Sequence, residues 1–459
     1  MNRLYAGFAR CDVTPPLGIG MAGYFGERDS DRILDPLELN VLALRQGGKT
    51  VIMMALDQCS IATDVCDGYR QAVSDATGVA PDAIFIHATH THTGPYASPK
   101  NILAKDSSPK GQARAARIEE NIKNLTAKMA DTACAAIADL KPTRVSCRQG
   151  KVENIAFIRR YRMADGTIRT NPGVNNPDII APIGEVDERL NLVRFDREGG
   201  KSIALINFGN HPDTVGGCGI SADWPGFARR ELEKVLDDTC AIVFNGAQGD
   251  VNHINVHPDA GYYNNNTAPS GTPRGHNHAR FMGRVVAGSV MQVWDIARAV
   301  DSPKLGYSQK FIELPSNMPT EKDDMERAYR YRELYLSGKS DEIPGTGMLR
   351  TTYIAEAMRL CRLEHGPESY QMRLSAVTIG DIAFLGIPGE PFTGIGVGIK
   401  QAENWGMVCP CCLTNGAMGY IPMRDSYIEG GYEAKNSNLK EGCAELIIDE
   451  AKKLLDTLR

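Results

Sequence analysis

Residues 83–95, AIFIHATHTHTGP, constrain the fold of this 459-residue chain more than any other stretch. The apolar run at its start is typical of a buried strand, and the Gly-Pro pair at its end stops that strand. Side chains two residues apart in an extended chain share one face, so we expect His90 and His92 to lie together and His87 to point elsewhere. Because imidazole is both a common metal ligand and a proton shuttle near neutral pH, this pair predicts a functional site rather than two buried structural histidines.

Composition indicates an ordinary globular chain. It is 42% hydrophobic and 23% charged, with a net charge of −5. This weak negative balance argues against nucleic acid or an anionic membrane as the main partner. No apolar segment typical of a signal peptide opens the sequence, and no run is as long as a membrane span, so we expect a cytoplasmic protein.

The 12 cysteines are then expected to be reduced thiols. Three of them, Cys409, Cys411 and Cys412, form a tight cluster. We expect buried thiols there rather than a metal site, because no second cysteine pair at zinc-ligand spacing accompanies the cluster.

Strand patterns alternate with helix patterns along the chain, which predicts an α/β fold with some antiparallel hairpins. We expect a mixed sheet core with flanking helices, organised as a single domain over residues 1–459. Charged helical patterns replace the alternation over residues 312–365, and they predict a helical insertion that forms a possible lid. No internal repeat is evident in the sequence.

Five of the predicted apolar strands end in polar groups. These groups are Asp57, His90 with His92, His211, residues 245–250, and Glu390. Sites in open α/β sheets form beyond the carboxyl ends of the strands, so groups that share a sheet edge should converge. Two histidines and a carboxylate are a recurrent catalytic zinc set, and a further histidine nearby can relay a proton. Taken singly, each group is as well explained by a structural role, such as a loop cap at Asp57 or Asp250.

Several motifs stand in a characteristic order along the chain. They are Asp12-Val13-Thr14-Pro15-Pro16, Thr89-His90-Thr91-His92-Thr93-Gly94-Pro95, His211-Pro212, Pro388-Gly389-Glu390, and the segment from Tyr420 to Gly431-Tyr432-Glu433-Ala434. In order and spacing they resemble the neutral (non-lysosomal) ceramidases, and the first motif fits the bacterial members. The resemblance covers most of the chain. It implies the catalytic α/β fold of that family, whose members are zinc amidases that cleave the N-acyl bond of ceramide.

The resemblance also implies a role for individual residues. The implied zinc ligands are His90, His211, Glu390 and Tyr420. His92 is the implied acid/base, which moves a proton to the leaving amine after zinc-bound water attacks the carbonyl. Tyr432 and an arginine are implied to hold the reacting carbonyl; Arg159 is favoured over Arg160.

The chain also departs from the pattern of that family. Thr93 stands where the family has Ser, and Pro391 interrupts its Glu-Phe-Thr run. The sequence ends soon after the Tyr432 segment, so we expect a short bacterial-type member that lacks the C-terminal β-sandwich domain.

We therefore expect a Zn²⁺-dependent hydrolase acting on a ceramide-like or smaller amide. A zinc esterase acting on a small substrate is one alternative, and a non-catalytic metal-binding or ligand-binding protein of the same fold is another. The implied ligands do not separate zinc from other divalent ions, because a histidine, carboxylate and phenol set is not unique to zinc.

Overall fold

The chain builds the same supersecondary unit three times. The computed structural model describes residues 3–103, 106–258 and 274–459. Within them, each unit consists of a strand, a β-hairpin, a helix, a parallel strand and a final helix. The first strand pairs antiparallel with the hairpin, and the last strand pairs parallel with the second hairpin strand. The intervening helix provides the crossover connection that parallel strands require.

The first unit runs from β1 to α3. Its elements are β1 (Leu4–Asp12), β2 (Arg32–Ile33), β3 (Glu38–Gln46), β4 (Lys49–Leu56), α1 (Thr63–Thr77), a 3₁₀ turn (Pro81–Ala83), β5 (Ile84–Ala88), α2 (Lys100–Leu103) and α3 (Pro109–Ala138). Helix α1 ends at Gly78, which adopts the left-handed conformation with a φ of 71° that glycine favours. Helix α3 begins after Ser108, whose side chain accepts a hydrogen bond from the Gly111 amide.

The second unit runs from β6 to α5. Its elements are β6 (Lys141–Lys151), β7 (Phe157–Ile158), β8 (Arg160–Met163), β9 (Ile168–Thr170), β10 (Ile179–Pro182), β11 (Arg189–Arg197), β12 (Ser202–Phe208), β13 (Gly219–Ile220), α4 (Asp223–Val235), β14 (Thr239–Asn245), β15 (Val251–Asn252) and α5 (His276–Trp294). The short strand β16 (Arg298–Ala299) follows and pairs with β6. Gly199, with a φ of 68°, lies in the turn of the β11–β12 hairpin.

The third unit contains the predicted helical insertion. Its elements are β17 (Leu305–Pro315), α6 (Met325–Leu336), a 3₁₀ turn (Ser340–Glu342), α7 (Gly347–Leu363), β18 (Ser369–Ile379), β19 (Ile382–Gly386), β20 (Glu390–Pro391), α8 (Thr393–Lys400), β21 (Met407–Cys411), β22 (Tyr420–Ile421), α9 (Asp425–Glu429), α10 (Tyr432–Asn436) and α11 (Cys443–Asp456). Residues 312–315 belong to β17, where burial alternates as in a half-buried strand, so the helical part is shorter than predicted.

The long strands of the three units form the two largest sheets of the described residues. The first two units share one sheet with the strand order β14-β12-β11-β6-β1-β3-β4-β5, and the third forms its own sheet, β17-β18-β19-β21. Only two residue pairs, Tyr5 with Pro142 and Ala6 with Lys141, join β1 to β6. The α/β prediction with a mixed sheet is confirmed. The three units repeat the order of their elements, which is a repeat of structure that is not evident in the sequence.

The last strands of the three units meet at the buried His87. Its Nε2 accepts a hydrogen bond from the Asn245 amide, at the end of β14, at 2.9 Å. Its Nδ1 donates to the Cys412 carbonyl, just after β21, at 2.7 Å. Burial lowers the pKa of His87 to about 3, so the ring is neutral and makes one bond of each kind. The carboxyl ends of β5, β14 and β21 are thereby held together.

One apolar cluster joins the units beneath this point, and it includes Phe85, Phe244 and Phe384. The clustered cysteines that follow Val408 are buried free thiols, as predicted. In the described residues, no helix combines the length and the apolar character needed to cross a membrane.

Candidate active site

A left-handed turn after β5 carries His90 and His92 into the site. His90 has a φ of 78°, which ends the extended run after Ala88. The two imidazoles lie together as predicted, with their Nε2 atoms 3.3 Å apart. The turn at His90 brings them together, and not the alternation of side chains along a strand. His87 does point elsewhere, toward Cys412 and Asn245, although the chain does not stay extended as that prediction assumed. A non-glycine residue in this conformation is uncommon and persists where its surroundings fix it; here the amide of His90 donates to the Gln58 carbonyl at 2.9 Å.

His90, His211 and Glu390 converge on one small volume. The Nε2 atom of His90 lies 3.0 Å from Nε2 of His211 and 3.3 Å from Oε2 of Glu390. The third side of this triangle, from His211 to Glu390, measures 3.9 Å. Tetrahedral zinc with bonds of about 2.0–2.1 Å places its ligand atoms roughly 3.3 Å apart, so these three side chains have the spacing to hold a metal ion.

The tautomers of these histidines also fit a cation. Nδ1 of His90 lies 2.6 Å from the Cys59 carbonyl, and Nδ1 of His211 lies 3.3 Å from the Gln248 carbonyl. A carbonyl only accepts, so each Nδ1 carries a hydrogen, and each Nε2 would present its lone pair to a bound cation. A backbone carbonyl on the outer nitrogen is the usual support of a metal-binding histidine.

Without a metal, a proton must occupy this position. Burial opposes the charged imidazole of His90, but the Glu390 carboxylate outweighs it and raises the pKa of His90. Burial together with neighbouring cations lowers the pKa of His211. A single proton can form a hydrogen bond between only two of these three atoms, whereas a metal ion can be coordinated by all three. Cys59, His90 and His92 form a second possible group, but Nδ1 of His90 is already bonded to the Cys59 carbonyl.

Tyr420 lies beside the proposed ligand Glu390. The two residues are paired across the short parallel strands β20 and β22. Burial, and then the Glu390 charge, raise the pKa of Tyr420 well above its usual value, so the phenol keeps its proton. The ring of Tyr432 meets the Tyr420 ring edge-on, with centroids 5.5 Å apart.

Of the two candidate arginines, Arg159 faces this cluster. Its guanidinium carbon lies 5.3 Å from the centre of the Tyr420 ring, and its Nε lies 2.7 Å from Oε1 of the buried Glu433. Arg160 points away and donates to Oε2 of Glu429 at 3.1 Å. Sequence reasoning missed Glu433 as the anchor of Arg159, although this residue stands in the Tyr-Glu-Ala motif.

A cavity of about 490 Å³ opens over these residues. Its lining includes the predicted site residues His92, Arg159, His211, Tyr420 and Tyr432. His90 and Glu390 do not reach its wall. Its volume is in the range of small-molecule sites. The other lining residues are Gly23, Tyr24, Phe25, Gly26, Asn171, Gly173, Val174, Asp213, Ile254, Arg274, Gly347, Met348 and Thr351.

Helix α7 of the insertion contributes its first turn to the wall of this cavity. A larger depression of about 920 Å³ lies around the turn at Gly47 and contains no histidine, cysteine or carboxylate side chain. Sequence reasoning missed three of the polar residues that line the smaller cavity, namely Tyr24, Asp213 and Arg274.

Two of the polar groups at strand ends serve the fold instead of the cluster. Asp57 forms a buried ion pair with Arg229 at 2.5 Å and accepts a hydrogen bond from Thr89 at 3.0 Å. Asp250 accepts hydrogen bonds from the Thr393 amide at 2.7 Å and from its hydroxyl at 2.8 Å, at the start of α8. The structural explanation of both residues is therefore the better one.

Gly23 makes room for His92, and we expect the substitution Gly23→Ala to lower kcat by roughly 10- to 100-fold. Gly23 has a φ of 101°, and a Cβ there would lie 2.6 Å from Cγ of His92. The imidazole must then move, and a displacement of about 1 Å can cost about 100-fold in rate. Gly26→Ala is a matched control from the same loop, because nothing lies within 4 Å of its Cβ position. Steady-state kinetics of both variants test this; equal activities would contradict it.

Comparison with solved structures identifies the fold. The chain matches the structure of neutral ceramidase from Pseudomonas aeruginosa with a TM-score of 0.72 and 17% identity, over 100% of this chain and 75% of that one. It matches the structure of a ceramidase complexed with C2 with a TM-score of 0.71 and 16% identity, over 100% of this chain and 76% of that one. The protein therefore has a neutral ceramidase-like fold, as the motifs predicted. No protein-family model and no curated protein sequence matches the chain.

Proposed function

We propose that the protein is a zinc-dependent hydrolase that cleaves the amide bond of an N-acyl substrate. The observation that carries this proposal is the cluster of His90, His211 and Glu390, with His92 against it at the cavity wall. The likeness to ceramidase structures supports an amide as the scissile bond. The insertion that contains α7 is proposed to act as a lid over the cavity.

The residues that would hold zinc are His90, His211, Glu390 and Tyr420. When bound there, the ion supplies a Lewis acid and lowers the pKa of a water molecule toward neutrality. Tyr420 contributes a neutral phenol, which is a weak oxygen donor, while the Glu390 carboxylate contributes negative charge.

His92 is proposed to carry the proton. Its Nε2 lies 3.3 Å from Nε2 of His90 and 3.2 Å from Nε2 of His211, so His92 adjoins the proposed metal ligands. Burial, and then the neighbouring His90, lower the pKa of His92 to about 3, so the ring is neutral at pH 7. Its free nitrogen is proposed to take a proton from the attacking water. The same nitrogen then delivers the proton to the leaving amine.

Arg159 and Tyr432 are proposed to stabilise the carbonyl oxygen as negative charge develops on it. Both side chains line the cavity. Burial raises the pKa of Tyr432, so its hydroxyl stays a donor. Burial opposes the charge of Arg159, but Tyr420 and Glu433 outweigh it and raise the pKa. Fixed donors directed at a developing oxyanion are usually a large part of such catalysis.

Paired N-acyl amides and esters with the same acyl group test this function. We expect amide hydrolysis that a chelator abolishes and added zinc restores, because the bound ion would supply the Lewis acid. Ester hydrolysis without amide hydrolysis would support the esterase alternative. Zinc binding without turnover of either substrate would support the binding-protein alternative.

A further inference from the structure

Tyr24 and Arg274 line the cavity beside His92, yet the proposed reaction does not use them. The Tyr24 ring meets the His92 ring edge-on with centroids 5.2 Å apart, and its hydroxyl lies 3.4 Å from Nη1 of Arg274. The same Nη1 donates to the backbone carbonyl of Asp213 at 3.1 Å. Because His92 is the group that protonates the leaving amine, the Arg274 guanidinium lies on the side of the cavity that receives this amine.

Two arginines, Arg274 and Arg28, stand on this side of the cavity, and no carboxylate lies within 3.5 Å of either one in the described residues. The carboxylate of Asp213 lies closer to His253 than to Arg274. Its Oδ1 is 3.0 Å from Nδ1 of His253, and its Oδ2 is 3.9 Å from Nη2 of Arg274. A second arginine, Arg28, lies behind Tyr24, with its guanidinium carbon 4.3 Å from the ring centre. Arg28 donates to three backbone carbonyls and, among the described residues, has no carboxylate at ion-pair distance.

Arg274 has hydrogen-bonding capacity to spare. A guanidinium offers five N–H donors, and the described structure uses only the Nη1 group of Arg274, for the Tyr24 hydroxyl and the Asp213 carbonyl. About a third of its side chain, 32%, stays exposed. The planar fork of arginine matches a carboxylate in two parallel hydrogen bonds. A neutral two-chain lipid amide would cover the remaining N–H donors of Arg274 without offering them acceptors, which is costly.

We propose that the substrate carries a carboxylate on its leaving amine and that Arg274 binds it, which makes N-acyl amino acids the substrate class. This inference rests on the proposed function. Water is divided across the C–N bond: the acyl carbon takes the hydroxyl and the nitrogen takes a hydrogen. The products are a carboxylic acid and a free amino acid, and no further reactant is needed.

The test compares N-acetylalanine with N-acetylalaninamide, which differ in a carboxylate against a neutral amide of the same shape. Calorimetry on the zinc-loaded His92→Asn variant gives dissociation constants without turnover, and kinetics on the zinc-loaded wild type give kcat and KM. We expect the carboxylate to bind roughly 10- to 100-fold more tightly, with the preference seen in KM more than in kcat. Arg274→Gln should remove that preference, and Arg274→Lys should restore part of it.

Arg280→Gln is the matched control, because Arg280 lies on α5 with 45% of its side chain exposed and pairs with Glu231 outside the cavity. Equal affinities for the two compounds, no binding of either, or a preference that survives in Arg274→Gln would each overturn the inference. A preference for N-acetylalanine that persists in Arg274→Gln would indicate that the metal itself binds the carboxylate. Zinc-dependent hydrolysis of both compounds at equal rates would overturn this inference and leave the proposed function intact. Arg274-dependent binding without hydrolysis would overturn the proposed function and, with it, the substrate class, and would leave Arg274 only as a binding residue for carboxylates.

Discussion

The substitution His92→Asn lowers kcat for amide hydrolysis by about 100- to 10,000-fold and leaves the zinc content at the wild-type level. General acid–base catalysis contributes a factor of this size, and asparagine cannot exchange a proton at neutral pH. The metal should remain, because His90, His211 and Glu390 form the candidate group without His92. Kinetics and elemental analysis of the same preparation measure both quantities.

His365→Asn is the control for this experiment, because 87% of the His365 side chain is exposed and the residue is not among those that line the cavity. Full activity in His92→Asn would remove the proton-transfer role. Loss of zinc in His92→Asn would instead make His92 a ligand, which its separations of 3.2 and 3.3 Å from the other two Nε2 atoms allow.

The substitution Arg229→Met lowers the free energy of unfolding by about 3–5 kcal/mol. Arg229 is fully buried and lies 2.5 Å from Oδ2 of Asp57 and 3.1 Å from Oε2 of Glu38. Burial already raises the pKa of Asp57 even with Arg229 present, so removing the guanidinium leaves a buried carboxylate without its partner. Breaking a buried pair from one side has a cost of this order. Urea unfolding monitored by circular dichroism gives the value.

Arg280→Met is the matched comparison, because its ion pair with Glu231 is partly exposed and such pairs contribute only about 0–1 kcal/mol. A loss below about 1 kcal/mol in Arg229→Met would show that the pair is not a main support of the fold. Asp57 also accepts a hydrogen bond from Thr89, which precedes His90, so the same variant should bind zinc more weakly.

The sequence predicted the strand-end residues well because they follow short apolar runs. His90, His211 and Glu390 each stand a few residues beyond such a run, and the structure brings them within 3.9 Å of one another. The sequence does not predict which strand-end groups converge. Asp57 has the same local pattern, but it pairs with Arg229 from a helix 172 residues away.

Local periodicity also fails where the backbone leaves regular structure. Strand alternation requires extended residues, and the positive φ of His90 breaks the alternation. The choice between Arg159 and Arg160 depends on Glu433 and Glu429, which belong to a distant segment, so no local pattern separates them. The threefold repeat of elements is also not visible locally. It consists in which strands pair with one another, and those strands are distant in the sequence.

The metal content of the purified protein shows directly whether His90, His211 and Glu390 bind zinc. Elemental analysis is made on the wild type beside His90→Ala and His211→Ala, after each has been supplied with zinc and dialysed. We expect about one zinc per chain in the wild type and little in either variant, with the fold retained by circular dichroism. A wild type without metal, or variants that both keep their zinc, would contradict it.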